Sequence, residues 1–530
     1  MWRLRRCLLT QLYSTMNTSL LGLAGYTLLA PGLTAPSLAP SVGLYISQFD
    51  AVLGTSLTLK AVARSLAAAQ QAEQAALAEI DRLKASLNSY DSTSEFSRWL
   101  TTQGEATPIS ADLFAVLAHF DHWSAQTQGV LNAGTELLSQ LWQQAAHRQG
   151  LPDAAALEHA QRAVSQPHWQ LNVTDQTATR LTATPLRLHS FAKNYVLQRA
   201  AEAALAVTGV DGIVLNGGGD LVVRGHWTEP VGIARPDAAA DNAAPLTQLA
   251  VRDRAVATSG TYRRGIRIGD QWFSHLIDPR TGQPAQAIAS ATVVHPDAVT
   301  AGALATAFTL LSPADSRQLA SRLPGTDYLL ITAAGEQHTS AGWNELTRET
   351  ASAEPVMVES TGAESTVARL TSLATAKDKY WNPNQELLIN FRLPQFEGRS
   401  HRPFVSVWIE DEKGVPVRNL ALWYNKPRWL PELSDWYASQ RQSDFDARSI
   451  SSATRSAGDY ALQWDGKDNA GQLVKQGKYT ICLEAAREHG THQLIRQVMD
   501  FNGKTKQLTV PGNVEIATAA LDYRQKPGVR

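Results

Sequence analysis

Apolar positions follow two different rhythms along the chain. In the first part they recur at helical spacing. Between Ala51 and Leu87 an Ala/Leu/Gln/Glu stretch carries Val62, Leu66, Ala69, Ala76, Leu77, Ile80, Leu83 and Leu87, which predicts a helix with one apolar face. Ser110-Ala111-Asp112-Leu113 opens a second helix, with Leu113, Val116, Leu117 and Phe120 in register. Phe191 to Val207 reads as a third, and Val299 to Leu311 as a fourth. Short β-rich runs lie between the last two and after them, at Gly212–Leu215, Leu221–Arg224, Val231–Ala234, Ala289–Val294 and Tyr328–Thr332. From about 346 to 383 the periodic signal fades into Ser, Thr, Ala and Glu, which reads as a linker. Beyond it the rhythm becomes alternating, as in Leu387, Ile389, Phe391 and then Val405, Val407, Ile409. Turn signals such as Asp411-Glu412-Lys413-Gly414 separate these runs. The expected fold class is α+β, a mixed α/β domain over 45–345 followed by a small antiparallel β-sandwich over 384–530.

Composition narrows the function classes. The chain has 530 residues, 44% apolar and 18% charged, enough apolar material for real cores. Net charge is −1, so no general basic field exists to hold nucleic acid. Two cysteines, Cys7 and Cys482, exclude a disulfide scaffold and a cysteine-based zinc site. No apolar stretch reaches the roughly 18 residues needed to span a bilayer. The first 44 residues form a leader, basic at Arg3, Arg5 and Arg6, apolar from Leu20 to Ala30 and small and Pro-rich to Pro40. That order is the order of a secretory signal and points to export. Six of 14 tryptophans fall after residue 380, which sets the C-terminal part apart from the rest.

Three segments carry chemistry. In Asn216-Gly217-Gly218-Gly219-Asp220, glycines between two strands let a backbone take positive φ and a ligand approach closely; a tight turn satisfied by Asn216 and Asp220 needs the same residues. Ala257-Thr258-Ser259-Gly260-Thr261-Tyr262-Arg263-Arg264 packs hydroxyls and two guanidiniums, groups that hold phosphate oxygens and also populate polar surface turns. Ser274-His275-Leu276-Ile277-Asp278-Pro279-Arg280-Thr281-Gly282 specifies a turn and places His275 and Asp278 at a short strand end, expected to face a common cleft. His119 and His122 stand at i, i+3 on the second helix, a spacing that can serve a metal but is more often core or surface.

Taken together, the three segments resemble the FAD:protein FMN transferase (ApbE-type) family, whose pattern runs N-x-G-G-D, A-T-S-G-x-Y-R, S-H-x-I-D-P-x-T-G-x-P and A-D-A-x-x-T. Leu53-Gly54-Thr55, Leu87 to Arg98 and Gly129-Val130-Leu131-Asn132 echo further family runs. The resemblance implies a bacterial, periplasmic or exported transferase. It would take FAD as substrate with Mg2+ at the pyrophosphate, and move FMN to a threonine of an acceptor flavoprotein of a membrane redox complex, releasing AMP. It implies His275 and Asp278 as catalytic groups. It implies Tyr90, Asn132, Lys193, Asp220, Ser259, Gly260 and Thr281 as the cofactor-binding set, and the Ala192 carbonyl and Thr306 hydroxyl as metal donors.

The chain also departs from that pattern. The family's D-L-G-G-I-A-K-G-Y is here Arg187-Leu188-His189-Ser190-Phe191-Ala192-Lys193-Asn194-Tyr195, and the carboxylate of A-D-A-x-x-T is Gly302. Magnesium prefers carboxylate and water oxygens, so either a neighbour such as Asp297 or Asp220 rebuilds the site, or the protein binds flavin without transferring it. Restoring Gly302→Asp is expected to raise magnesium affinity. Two linker stretches, Ser360 to Glu364 and Ser372 to Thr375, only partly resemble an acceptor motif, as a Ser/Thr/Ala-rich composition alone would give.

The Trp464 to Tyr479 stretch resembles the Ig-like domain of flagellar hook-capping proteins, and the whole C-terminal region resembles an uncharacterised periplasmic domain. Trp423, Trp429 and Trp436 suit either a core with a covering loop or an aromatic contact surface. Asp465 and Asp468 suit a plain turn better than a calcium site. Oligomeric state is not set by the sequence.

Overall fold

The computed structural model of the chain describes residues 42–352, 379–396, 401–425, 427–440, 450–488 and 490–526. Most of the leader and both near-acceptor stretches lie outside the described residues.

Eight strands build the main sheet. Their order is Gly43–Val52, Thr55–Ala63, Val210–Gly217, Asp220–Gly225, Ala255–Gly260, Ile288–His295, Asp327–Thr332 and Gln337–Thr339. Every neighbouring pair is antiparallel. Helices Leu66–Leu87, Ala192–Leu205 and Ala298–Leu310 cover one face and share the largest core with it. Their buried stripes are rich in alanine, for example Ala68, Ala69, Ala72 and Ala76, so helix and sheet approach closely. The other face is closed by the hairpin Thr228–Ile233/Thr247–Arg252 and the helix Trp343–Ser352.

The first helix starts at Leu66, capped by Ser65, whose Oγ accepts the Ala68 N–H at 3.1 Å. The expected helical stretch back to Ala51 is instead a β-hairpin. Leu57, Leu59 and Ala61 are buried and alternate with Ser56, Thr58 and Lys60, a period of two. The hairpin turns at Leu53 and Gly54, both at positive φ (52° and 76°).

Helices Glu136–His147 and Ala154–Val164 and the hairpin Gly265–Ile268/Gln271–Ser274 form a satellite core with Ile277. It underlies the His275–Gly282 segment. The Trp142 indole N–H donates to the Gly282 carbonyl at 2.8 Å, and the Gln161 amide donates to that of Arg280 at 3.2 Å.

The C-terminal part is a sandwich. One sheet has the order Gly458–Trp464, Gln385–Leu393, Thr518–Gln525, Lys506–Val510; the other runs Ser451–Ser452, Pro416–Trp423, Phe404–Glu410, Gly477–Ala486, His492–Phe501. Leu387, Ile389 and Phe391 of the first meet Val405, Val407 and Ile409 of the second in one core. Trp381, Trp464, Phe501 and Tyr523 cluster there edge to face and tilted. Trp423 and Trp436 are buried and Trp429 packs on Phe404, so packing is what these tryptophans do. Gly466, at φ +75°, lies against Trp381 so closely that a Cβ would fall 2.0 Å from the indole Cγ. The Asp468 carboxylate accepts the Ala470 and Gln472 N–H groups, a turn-capping role. No helix among the described residues is long and apolar enough to cross a membrane.

Candidate functional site

The stretch Arg187–Tyr195 is the hub of the site. It enters the helix Ala192–Leu205, and its side chains reach four different elements. The Arg187 guanidinium lies 4.6 Å from the centre of the Tyr90 ring, donates to the Ser89 carbonyl and pairs with Glu136 at 3.5 Å. Tyr90 itself is 79% exposed, an aromatic face held open to solvent by its cationic neighbour. Ser190 offers its carbonyl to the Thr306 hydroxyl at 3.4 Å. Lys193 pairs with Asp220 at 2.6 Å and donates to the Gly217 carbonyl at 3.1 Å.

Lys193 and Asp220 meet beneath the triple-glycine turn. Gly217 and Asp220 pair across the strands, and Gly218 and Gly219 make the turn at φ +59° and +99°. That conformation matches the twist of a two-residue hairpin and excludes most side chains. The Asn216 side chain accepts the Gly219 N–H at 3.0 Å, and Asp220 accepts the Thr258 N–H at 3.3 Å. The turn is self-satisfied, and it also delivers a carboxylate to a lysine. A Cβ on Gly218 would fall 2.2 Å from the Thr55 hydroxyl. Gly218→Ala is expected to cost about 1–3 kcal/mol and to loosen the Lys193–Asp220 pair, read as a lower unfolding midpoint in urea.

The Ala255–Gly260 segment is a central strand rather than a surface turn. Ser259 and Gly260 pair with Ala291 and Ser290. A Cβ on Gly260 would sit 2.9 Å from the Ala289 carbonyl and 2.8 Å from the Tyr262 ring, so glycine is required by packing there. Thr261 leaves the strand with its hydroxyl donating to the Ile288 carbonyl at 3.2 Å.

His275 stands open to solvent at the next turn. Its ring Nδ1 lies 3.1 Å from the Arg264 carbonyl. A carbonyl only accepts, so Nδ1 carries the proton and Nε2 presents a free lone pair. Although one edge of the ring is open, desolvation by the protein packed around the rest pulls the His275 pKa below its ordinary value; the hydrogen bond to the Arg264 carbonyl opposes this, while the Arg264 and His189 charges add to it. The ring is therefore neutral at pH 7. Asp278 has a different task. Its carboxylate accepts the Arg280 N–H at 2.9 Å and forks onto the Arg280 guanidinium at 2.7–3.2 Å. Its carbonyl takes the Gly282 N–H at 2.7 Å. No hydrogen bond joins His275 and Asp278 among the described residues; Asp278 shapes the turn. The Thr281 hydroxyl accepts the Gln283 N–H at 3.3 Å in the same turn.

Other expected residues fall in distinct places. The Asn132 amide is engaged internally: it donates to the Val164 carbonyl, accepts the Gly134 N–H and meets His168. Ala192 begins its helix and is buried. Thr306 turns its hydroxyl toward the Gly302 carbonyl at 3.1 Å. Asp297 caps the helix Ala298–Leu310 by accepting the Thr300 N–H at 2.7 Å, and Asp220 holds Lys193, so neither stands free as a replacement carboxylate. Asn194 does what sequence reading missed. A Cβ on Gly302 would fall 2.3 Å from the Asn194 Oδ1, so the carboxamide fills the space that an aspartate at 302 would need. Gly302→Asp alone therefore cannot be accommodated as expected. The clue in the sequence was that both positions depart from the family pattern.

His119 packs edge-on against Phe191 and Tyr195, a core role, and burial lowers its pKa. Among the described residues, one trio of histidine and carboxylates is close enough to share an ion: Asp435, Glu484 and His492. The buried Glu484 is already saturated there. It accepts the Asp435 and Trp436 N–H groups at 2.9 and 2.8 Å, the Ser406 hydroxyl at 3.2 Å, and meets His492 at 2.6 Å.

Residues 386–518 match a family described as a predicted periplasmic protein (DUF2271). The FAD:protein FMN transferase of Haemophilus influenzae is 27% identical over 263 residues, covering 47% of this chain and 75% of that protein. That of Chlamydia trachomatis is 28% identical over 250 residues, covering 46% and 77%. The crystal structure of the ApbE protein of Thermotoga maritima shares the fold at a TM-score of 0.52 and 22% identity, over 58% of this chain and 100% of that one. Residues 53–330, more than half of the chain, match the ApbE family, and the chain belongs to that family.

Proposed function

We propose that this chain is a periplasmic or exported FAD:protein FMN transferase. The observation that carries the reading is the convergence on one stretch, Arg187–Tyr195, of a cation over an exposed aromatic ring, a lysine–aspartate pair at a glycine turn, and the oxygen donors of Thr306 and Ser190. Nearby, His275 offers an unprotonated Nε2. In the reaction, the hydroxyl oxygen of an acceptor threonine bonds to the FMN phosphorus, the P–O bond to AMP breaks, and AMP leaves with the bridging oxygen. The hydroxyl proton passes to His275 Nε2. Tyr90 and Arg187 suit the flat rings of FAD. Lys193, held by Asp220, suits a phosphate oxygen, while Ser259, Gly260 and Thr281 line the nucleotide.

Magnesium fits the remaining residues as an all-oxygen set. The Thr306 hydroxyl lies against the Gly302 carbonyl and the Asn194 carboxamide faces Gly302, while the Ala192 carbonyl is the donor that the family resemblance adds. Asn194 is 3% exposed and turns its Oδ1 toward Gly302, which puts an amide oxygen donor at the place of the family's carboxylate. The set lacks a carboxylate, so it binds a divalent cation more weakly than an aspartate-bearing site would. When bound, the cation neutralises pyrophosphate charge. The acceptor is read as a flavoprotein of a membrane redox complex. The stretch 45–345 is the transfer domain, and 384–530 is a separate domain joined to it by the linker.

Incubating the full chain with FAD, Mg2+ and an acceptor carrying the target threonine tests the reading. Covalent flavin on the acceptor and equimolar AMP are expected. The missing carboxylate at Gly302 favours a second reading, a flavin carrier without transfer; bound FAD with neither product would establish it and remove the first.

A further inference from the structure

The C-terminal sandwich meets the transfer domain at Asp241 and Asn242. The stretch before the strand Thr247–Arg252 lies along Gly458–Trp464, the open edge of the four-stranded sheet. Asp241 N–H donates to the Ala461 carbonyl at 2.7 Å. Gln463 N–H donates to Asn242 Oδ1 at 2.7 Å, and Asn242 Nδ2 returns to the Gln463 carbonyl at 3.0 Å. An otherwise unpaired strand edge is thereby covered by the other domain.

Asp241 then bridges two arginines. Its Oδ1 takes Arg263 Nη1 and its Oδ2 takes Arg455 Nη1, each at 2.8 Å. The Asp241 side chain is only 15% exposed and Arg455 half-buried, while Arg263 remains 55% exposed, so the Arg455 arm is the better shielded of the two. Arg455 belongs to the sandwich and lies flat over Trp423, 4.1 Å from the ring centre, and near Tyr460. Arg263 belongs to the transfer domain. A cavity of about 580 Å³, lined by Tyr262, Asn390 and Tyr460 among others, opens beside this contact. Asp241 and Arg263 themselves line it.

Arg263 is followed by Arg264, whose carbonyl receives both the His275 N–H at 3.3 Å and the ring Nδ1 at 3.1 Å. A continuous path of ion pairs, one peptide unit and a hydrogen bond leads from the sandwich to His275. We propose that Asp241 is a positioning residue through which the C-terminal sandwich sets the Thr261–Arg264 turn and, with it, the orientation and tautomer of His275. A role for the sandwich follows: it holds the base of the transfer domain in working order, besides whatever it contacts outside. The proposal rests on His275 being that base.

The test uses the full chain with 15N-labelled histidine. In the wild type, ring-nitrogen spectra are expected to give His275 as the Nδ1–H form. Asp241→Ala and Arg455→Met are expected to shift its ring nitrogens toward a mixture of tautomers and to change its titration. They should lower kcat for transfer about tenfold with KM for FAD unchanged, and Asp241→Glu should restore the wild-type spectrum. Arg263→Met breaks the same path from the other side and serves if Asp241→Ala does not fold. Wild-type His275 spectra and titration in folded Arg455→Met and Arg263→Met would overturn the proposal. The spectra need no turnover, so a chain that lacks transfer but shows the coupled shifts would sink the transferase reading while leaving this link standing.

Discussion

Replacing His275 with alanine is expected to reduce FMN transfer by about a hundredfold or more, the range for loss of a positioned proton acceptor. FAD binding, followed by quenching of flavin fluorescence, should change little, because the ring acts on the acceptor hydroxyl. The pH dependence has a sign. The His275 pKa is lowered chiefly by desolvation, so the competent neutral form persists below the ordinary histidine value of about 6.5. Wild-type kcat/KM should stay level from pH 8 down past 6.5 and fall only as pH drops through the depressed value; His275→Ala should lose that limb. Retention of activity within tenfold of wild type would assign the proton acceptor elsewhere. Asp278 offers a contrast: with its carboxylate forked onto Arg280, removing it should cost stability of the turn before chemistry.

Much of this arrangement could be read from local sequence because local forces decide it. Ser110 caps its helix by accepting the Leu113 N–H, and the glycine turn is fixed by positive φ at Gly218 and Gly219. Both depend on neighbours only a few residues away. The β-hairpin before Leu66 was hidden because alanines and leucines at 57–63 satisfy a period of two as well as helical spacing, and the sheet decided between them. Thr258 and Ser259 suit an exposed strand and a polar turn equally well; the register with Thr292 and Ala291 decides for the strand. The helices Glu136–His147 and Ala154–Val164 brace the His275–Gly282 turn from more than a hundred residues away in sequence, at Trp142 and Gln161. Least legible were contacts between remote positions. Nothing near Asp241 announces that it holds Arg263 and Arg455, and nothing near Gly302 announces Asn194.

That last pair gives the second large effect. The chain carries asparagine where its family has glycine, and glycine where its family has aspartate, and the two side-chain volumes exchange across one gap. Gly302→Asp by itself would drive a Cβ to 2.3 Å from Asn194 Oδ1 and 2.5 Å from its Cγ, against a side chain buried in its own helix. Overpacking of that kind costs about 1–3 kcal/mol, and the new carboxylate would be buried against an amide. The single variant is expected to unfold at lower temperature and to gain no cation affinity. Asn194→Gly alone opens a void, costs about 1 kcal/mol as a helix glycine and removes an oxygen donor, so affinity should fall. Joined in one chain, the two changes relieve each other's fault. The double variant should bind Mn2+, titrated by electron paramagnetic resonance into the FAD-loaded protein, about tenfold more tightly than wild type, and its stability should exceed that of Gly302→Asp. Equal Mn2+ affinity in the single aspartate variant and the double, with both fully folded, would mean that Asn194 does not occupy the carboxylate's place.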